Sequence, residues 1–184
     1  KEEVEGNLHR LEQVMEKGFG NSDNPLLVSV RSGAAVSMPG MMDTILNLGL
    51  TDQTVEGLIR RSKNERFAYD AYRRFIQMFG NVVLEVEHRH FEELLAKKKQ
   101  QNKVTKDTEL QAKALKELVA EYKQLIQKQT GRAFPEDPKE QLIMSCNAVF
   151  SSWNNKRAIT YRNLNHIPHD LGTAVSIQTM VFGN

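Results

Sequence analysis

Residues Leu26–Leu50 read LLVSVRSGAAVSMPGMMDTILNLGL, and the order of residue types in this stretch decides how the chain is to be folded. A short apolar run flanked by Asp23-Asn24-Pro25 predicts a buried strand over Leu26–Val30. It ends in Arg31. A loop of small residues follows, then a turn built on Pro39-Gly40, and Thr44–Leu48 reads as a second strand. Packing alone does not call for an arginine, small residues and a Pro-Gly turn directly after a buried strand. An anion does. A strand holds the guanidinium still, and small residues let backbone N–H groups come close to phosphate oxygens.

Outward from this stretch the period changes. Val4, Leu8, Leu11 and Met15 recur at helical spacing, so residues 2–17 predict an amphipathic helix that Gly18 and Gly20 end. Thr51 or Asp52 caps a helix carrying Val55, Leu58 and Ile59. Asn64 caps the next, in which Ala68, Ala71, Tyr72, Phe75, Ile76 and Phe79 form one stripe closed by Gly80. Helices are also read over Glu87–Lys99 and Thr108–Gln129. Asp137, Pro138 and Glu140 combine a cap, a first-turn proline and an early acid, and so start another. Its face is Leu142, Cys146, Val149, Phe150 and Trp153. A further helix covers Lys156–Leu164, and the alternation over Thr173–Phe182 is that of a strand. The class is α+β. Residues 1–50 and 136–184 form a discontinuous α+β unit, and 51–135 a mainly helical insert.

Composition excludes several roles. A formal charge of +2 gives no basic face for nucleic acid, and 26% charged with 40% hydrophobic residues is ordinary for a domain with a real core. One cysteine rules out a disulfide framework. No apolar run approaches the ~18 residues of a membrane span. The chain opens without methionine, shows no signal peptide and stops just after a strand-like run, so both ends read as cut from something longer.

Each chemical candidate has a plainer alternative. Arg31 suits two parallel bonds to a phosphate, or an ordinary ion pair with Asp43 or a nearby glutamate. Gly33, Ala34, Ala35 and Gly40 suit a phosphate-cradling loop, yet match no established glycine motif. Thr44 can offer a hydroxyl to phosphate or metal, and Asp43 can lie near Mg2+; either can equally serve a turn. Gln178 and Met180, on one face of the last strand, suit a purine: the amide hydrogen-bonds and the thioether packs on the ring. His88 and His90 point about 200° apart on a helix, which is poor for a shared metal. His166 and His169 read as loop residues, Cys146 as inert, and Lys97, Lys98, Lys99, Lys103 and Lys106 as a solvated helix end and loop. No catalytic base is visible.

Four stretches carry a resemblance. They are Val28-Ser-Val-Arg31-Ser-Gly-Ala with Ser37-Met-Pro-Gly-Met-Met-Asp-Thr44 and Leu46-Asn-Leu-Gly-Leu50; Arg66-Phe-Ala-Tyr-Asp70 with Tyr72-Arg-Arg-Phe75; Val149-Phe-x-Ser-Trp153 with Arg157-Ala158; and Gly172-Thr-Ala-Val with Gln178-Thr-Met-Val-Phe-Gly-Asn184. In this order they resemble the pyruvate, phosphate dikinase family over nearly the whole chain. The resemblance implies a partial ATP-grasp nucleotide-binding domain of an enzyme that interconverts ATP, phosphate and pyruvate with AMP, pyrophosphate and phosphoenolpyruvate. Mg2+ and a monovalent cation assist. A phosphohistidine on a separate swivelling domain carries the phosphoryl group.

By this resemblance Arg31 contacts the ATP phosphates and is the catalytic candidate. Ser32, Gly40, Met41, Met42, Asp43 and Thr44 belong to the phosphate-facing segment, and Gln178 and Met180 to the adenine pocket. The insert is then a mobile subdomain that closes over the nucleotide. The family's ATP-binding lysine is expected upstream of Lys1. Its Gly-rich loop and acidic metal ligands are expected beyond Asn184, so no metal ligand and no phosphocarrier histidine is assigned here. A homodimer is implied for the full-length enzyme, in the cytoplasm or, depending on the source, in chloroplast or glycosome. The alternatives are a fragment of a related dikinase with another acceptor, or a non-catalytic helical module binding partners through the stripes at 64–79 and 108–126. The Arg31 loop separates the last from the rest, because a scaffold has no use for it.

Overall fold

The computed structural model describes residues 2–182; the Gly183-Asn184 end of the last matching stretch lies outside them. In chain order the elements are α1 (Glu2–Met15), β1 (Val28–Gly33), β2 (Thr44–Leu48), α2 (Thr54–Ser62), α3 (Glu65–Val82), α4 (His88–Gln101), α5 (Ala112–Thr130), α6 (Pro138–Ser151), α7 (Lys156–Leu164) and β3 (Ala174–Thr179). The three strands form one antiparallel sheet in the order β2-β1-β3. The α+β class holds.

The central strand is longer than its apolar run. Ser32 and Gly33 pair with Val175 and Ala174, so the ladder carries β1 past Arg31 to Gly33. Hydrophobicity marks which residues are buried, whereas pairing with β3 sets where the strand ends. Arg31 therefore lies within the strand and not at its end. Val28, Val30, Ile45 and Leu48 face one side and are completely buried.

Helix starts follow local chemistry. The Thr51 hydroxyl accepts from the Thr54 N–H (3.1 Å), Asn64 Oδ1 from Phe67 N–H (3.0 Å) and Asp137 Oδ1 from Lys139 N–H (3.0 Å). The whole α3 stripe is buried. Gly80 does not close that helix, which runs on to Val82. A Cβ there would sit 2.5 Å from the Phe91 ring, so the residue is small to let α4 approach. Phe150 departs from the expected α6 face and is 49% exposed, while Leu142 and Val149 are buried.

One continuous apolar core includes Val28, Val30 and Ile45 of the sheet, Phe75, Phe79, Phe91 and Leu115 of the helical segment, and Leu142 and Val149 of α6. Both chain crossings into the 51–135 segment are clasped. Gln141, fully buried, accepts from Gly49 N–H (3.2 Å) and donates to the Leu50 and Pro135 carbonyls (3.1 and 2.8 Å). Lys123 Nζ reaches Asp52 (2.6 Å) and Glu136 (2.5 Å), and the Tyr72 hydroxyl lies 3.2 Å from both carboxylates. Burial and the two acidic neighbours, Glu136 and Asp52, raise the Tyr72 pKa, so the phenol stays a neutral donor.

The polar residues of the Arg66–Phe75 stretch are also structural. Arg66 donates to the Leu110 and Asp107 carbonyls, and buried Arg73 pairs with Asp70 (2.9 Å) and Asp107 (3.0 Å). Lys98 overturns the expectation of a solvated lysine run. It is 4% exposed, with Nζ on Glu117 (3.1 Å) and Glu121 (2.7 Å) of α5. The packing of α4 on α5 covers its stem and brings two acids to its tip.

Burial by itself would raise the Asp107 carboxyl, but the Lys99 hydrogen bond and the Arg73 charge outweigh it and hold the group below its ordinary value. A carboxyl depressed in the folded state contributes stability that is present above the unfolded pKa and is lost as pH falls through the folded value. The wild-type chain is thus expected to lose stability on acidification below about pH 4, the ordinary carboxylate range. Asp107→Asn should be less stable at neutral pH and show a shallower acid loss, as read by denaturant midpoints across a pH series. Parallel pH curves for the two proteins would contradict this assignment.

Candidate functional site

Register places the site residues. Arg31 pairs with Thr44 on one side and Ser176 on the other, and Ser29 pairs with Gln178. Directly paired residues point to the same face of a sheet, and alternate residues share it. Arg31, Thr44, Ser176 and Gln178 therefore occupy one face, opposite Val28, Val30 and Ile45. Met180 continues that face past the end of β3, its N–H donating to the Leu27 carbonyl (2.8 Å). From the Leu27 row to the Arg31 row is four residues, roughly 13 Å at ~3.3 Å per residue. The Arg31 end is exposed; at the other end Leu27 and Met180 line a cleft with Arg61, Phe67 and Phe182.

Arg31 makes no ion pair among the described residues. The plainer alternative, a pair with Asp43, is taken instead by Arg157, whose Nη2 lies 2.6 Å from Asp43 Oδ1. A permanently charged, planar donor set thus stands on the polar sheet face beside a threonine. The arrangement can accept an anion with paired oxygens.

The connection between β1 and β2 is a tight turn carried on an apolar anchor. Met41 N–H donates to the Met38 carbonyl (3.1 Å), with Pro39 and Gly40 between. Gly40 has φ +72°, which with proline before it is the pattern of a type II turn. Met38 and Met42 are buried with Trp153, Ala158 and Ile167 in a small second core. The Met42 side chain is 9% exposed, so it anchors the turn instead of facing solvent. Met41 is half-buried against the same cluster. Ser32 pairs with Val175 and so faces away from Arg31.

Sequence reasoning missed the far side of this turn, because its partners lie more than a hundred residues away. Asp43 N–H donates to Ser152 Oγ (3.2 Å), and Asn155 Nδ2 donates to the Met41 carbonyl (3.1 Å). Beneath them Trp153 donates to the His169 carbonyl (3.0 Å), and the Arg162 guanidinium stacks 4.0 Å from the Trp153 ring centroid. Arg162, 1% exposed, donates to the Trp153 carbonyl and to His169 Nδ1. That bond makes Nδ1 an acceptor, so the proton of neutral His169 sits on Nε2, 2.9 Å from Asn163 Oδ1. The only legible signal was the Val149–Ala158 stretch itself, which gave no hint of its partner.

No three His, Cys, Asp or Glu side chains among the described residues converge on a metal position. The Asp43 carboxylate is committed to Arg157, and this donor set does not fit Mg2+. His88 and His90 meet separate glutamates, Glu92 at 3.4 Å and Glu93 at 3.8 Å. Cys146 is half-buried, and burial pushes its thiol up, away from the reactive thiolate.

The chain is thus an α+β domain that carries a permanently charged arginine and a threonine hydroxyl side by side on one sheet face. The model of the pyruvate phosphate dikinase AMP/ATP-binding domain matches residues 1–184, and the chain belongs to that family. It is 56% identical over 184 residues to the pyruvate, phosphate dikinase of Giardia intestinalis, spanning 100% of this chain and 21% of that protein. To that of Clostridium symbiosum it is 55% identical over 175 residues, 95% of this chain and 20% of the relative. The chloroplastic enzyme of Mesembryanthemum crystallinum is 55% identical over 183 residues, 100% and 19%. The chain spans about a fifth of the length of the curated relatives it matches.

Two substitutions separate anchor from ligand group. Met42→Ala should cost about 2–5 kcal/mol by opening a cavity under the turn. Arg31→Ala should stay within about 0.5 kcal/mol, having no ion pair among the described residues to lose. Denaturant unfolding of both variants checks this, and a large destabilisation by Arg31→Ala would show a structural role.

Proposed function

We propose that this chain is the nucleotide-binding portion of a pyruvate, phosphate dikinase, built on part of an ATP-grasp fold. In this reading the full enzyme interconverts ATP, phosphate and pyruvate with AMP, pyrophosphate and phosphoenolpyruvate through a phosphohistidine on another domain. The observation that carries it is Arg31, free of ion pairs among the described residues and paired with Thr44 on the polar face of the sheet.

Arg31 grips phosphate oxygens through two charge-assisted bonds, and Thr44 adds a hydroxyl donor beside it. The exposed Pro39-Gly40 turn closes over the same end. Gln178 and Met180 hold the adenine farther along the face, at a separation that suits an extended nucleoside triphosphate. Met41 and Met42 act through their backbone, Ser32 supports the core side of the strand, and Asp43 orients the turn. Mg2+, which the reaction requires, is held by residues outside this chain, and no step here runs through it. The continuous core and the two clasps favour movement of the 51–135 segment together with the sheet. Dimerisation and the compartment follow the full-length enzyme; no helix of the described residues is long and apolar enough to cross a membrane.

Phosphoryl transfer needs several cationic groups positioned around the transferred group. Arg31 alone supplies binding. The purified 184-residue chain should therefore give no turnover with radiolabelled ATP, and catalytic phosphorylation by it would sink the reading. In the full-length enzyme Arg31→Ala should lower ATP-dependent phosphorylation by about 100-fold or more, the scale of removing one preorganised donor. Its melting temperature should not move. The helical-module alternative predicts the reverse, with partner binding unaffected by Arg31.

A further inference from the structure

The turn between β1 and β2 has one internal backbone bond, from Met41 to Met38, so its shape depends on what holds it from outside. Among the described residues, the side chain of half-buried Asn155 is the one amide that does so. It has two fixed contacts. Its Oδ1 accepts from Ala158 N–H (2.8 Å) and caps α7, while its Nδ2 donates to the Met41 carbonyl (3.1 Å). The cap sets the plane of the amide, and the amide then sets the height of the turn above the sheet. Met41 is three residues from Thr44, which is paired with Arg31. A shift of the Met41 carbonyl is therefore passed directly into the strand that carries Thr44.

We infer that Asn155 is a positioning residue for the nucleotide phosphates, holding the Met38–Met41 turn in register with Arg31 and Thr44 through its bond to the Met41 carbonyl. This rests on the reading of Arg31 and Thr44 as the phosphate-binding pair. Asn155 touches no reacting atom. Its effect is geometric, and misplacing a phosphate-facing segment by a fraction of an ångström is enough to weaken binding. On the neighbouring Asp43, the Ser152 hydroxyl accepts from the backbone N–H and Arg157 donates to the carboxylate. They hold the chain as it leaves for β2, whereas Asn155 holds the closing residue of the turn itself.

The two functions of Asn155 can be separated by substitution. Asn155→Asp keeps an oxygen that caps α7, since aspartate caps helices as well as asparagine does, but it has no N–H for Met41 and turns a carboxylate towards a carbonyl. Asn155→Ser keeps a capping hydroxyl, adds no charge and is too short to reach Met41. Both are to be made in the full-length dikinase, with Arg31→Ala beside them, and compared by melting temperature and by the KM and kcat for ATP.

The expected result is a rise of about tenfold or more in KM for ATP in both Asn155 variants, the scale of small misplacements remote from the chemistry. Melting temperatures should stay at the wild-type value. A purely structural role would reduce the amount of active enzyme, lowering kcat and leaving KM unchanged, and that result overturns the inference. So does a wild-type KM in Asn155→Asp. Weakening by Asn155→Asp with Asn155→Ser at wild-type affinity would mark the added charge instead of the lost bond, and overturns it too. If Arg31→Ala also binds ATP normally, the phosphate-site reading itself has failed; if only the Asn155 variants bind normally, that reading stands without the positioning role.

Discussion

The central strand β1 has to satisfy two neighbours at once, and the rest of the structure follows from how it does so. Its register with β3 is unbroken from Val28–Thr179 to Gly33–Ala174. With the whole stretch paired to β3, side-chain direction is no longer free. Val28 and Val30 go into the core, and Arg31 must go the other way. A slip of one residue would bury the guanidinium and expose the valines, which is why the strand cannot be moved without losing both core and candidate site. Thr44 and Gln178 reach Arg31's face by the same rule.

A second set of interactions holds what the sheet leaves loose. The turn after β1 is fastened to the α6–α7 junction by two backbone-directed bonds, an ion pair and two buried methionines. That junction in turn rests on Arg162, buried without a carboxylate among the described residues. Its charge is compensated by a carbonyl, an imidazole nitrogen and the face of Trp153. Each partner alone is a weak answer to a buried cation. Together they use its donors in several directions and make the guanidinium a rigid spacer between Trp153 and His169. Arg31 and Arg162 are thus opposite uses of one residue type. The first is exposed and has no ion pair among the described residues; the second is buried so that the ground under the turn does not move.

The helical segment is joined to the sheet by more than its two chain crossings. Phe75 and Phe79 pack into the same core as Val28 and Ile45, and Gln141 binds the backbone of both crossings with one amide. Outside that core, Lys123 and Tyr72 bring Asp52 and Glu136 together across the boundary. A composition shift at Thr51 marks a real change from strands to helices. It does not mark a break in packing. Arg66, Asp70 and Arg73 fasten the 107–110 turn to α3, so a stretch that helped identify the family does its work in folding.

What the sequence determined by itself was local. Helix starts at Thr51, Asn64 and Asp137 were legible because a cap is a bond between a side chain and backbone two or three residues away. The strand Thr44–Leu48 and the α3 stripe were legible because hydrophobic period survives without knowledge of the partner. So was Arg31 as a charged group where packing did not ask for one, and the structure leaves it exposed. Tertiary structure decided everything that required a partner distant in the chain. It ended β1 at Gly33, gave Asp43 to Arg157 rather than to Arg31, buried Lys98 between two glutamates, turned Met42 inward and exposed Phe150. Spacing can say which residues share a face of one element. Only the packed fold says what that face meets, and that meeting gave Asp43 to Arg157 and left Arg31 beside Thr44 with no ion pair among the described residues.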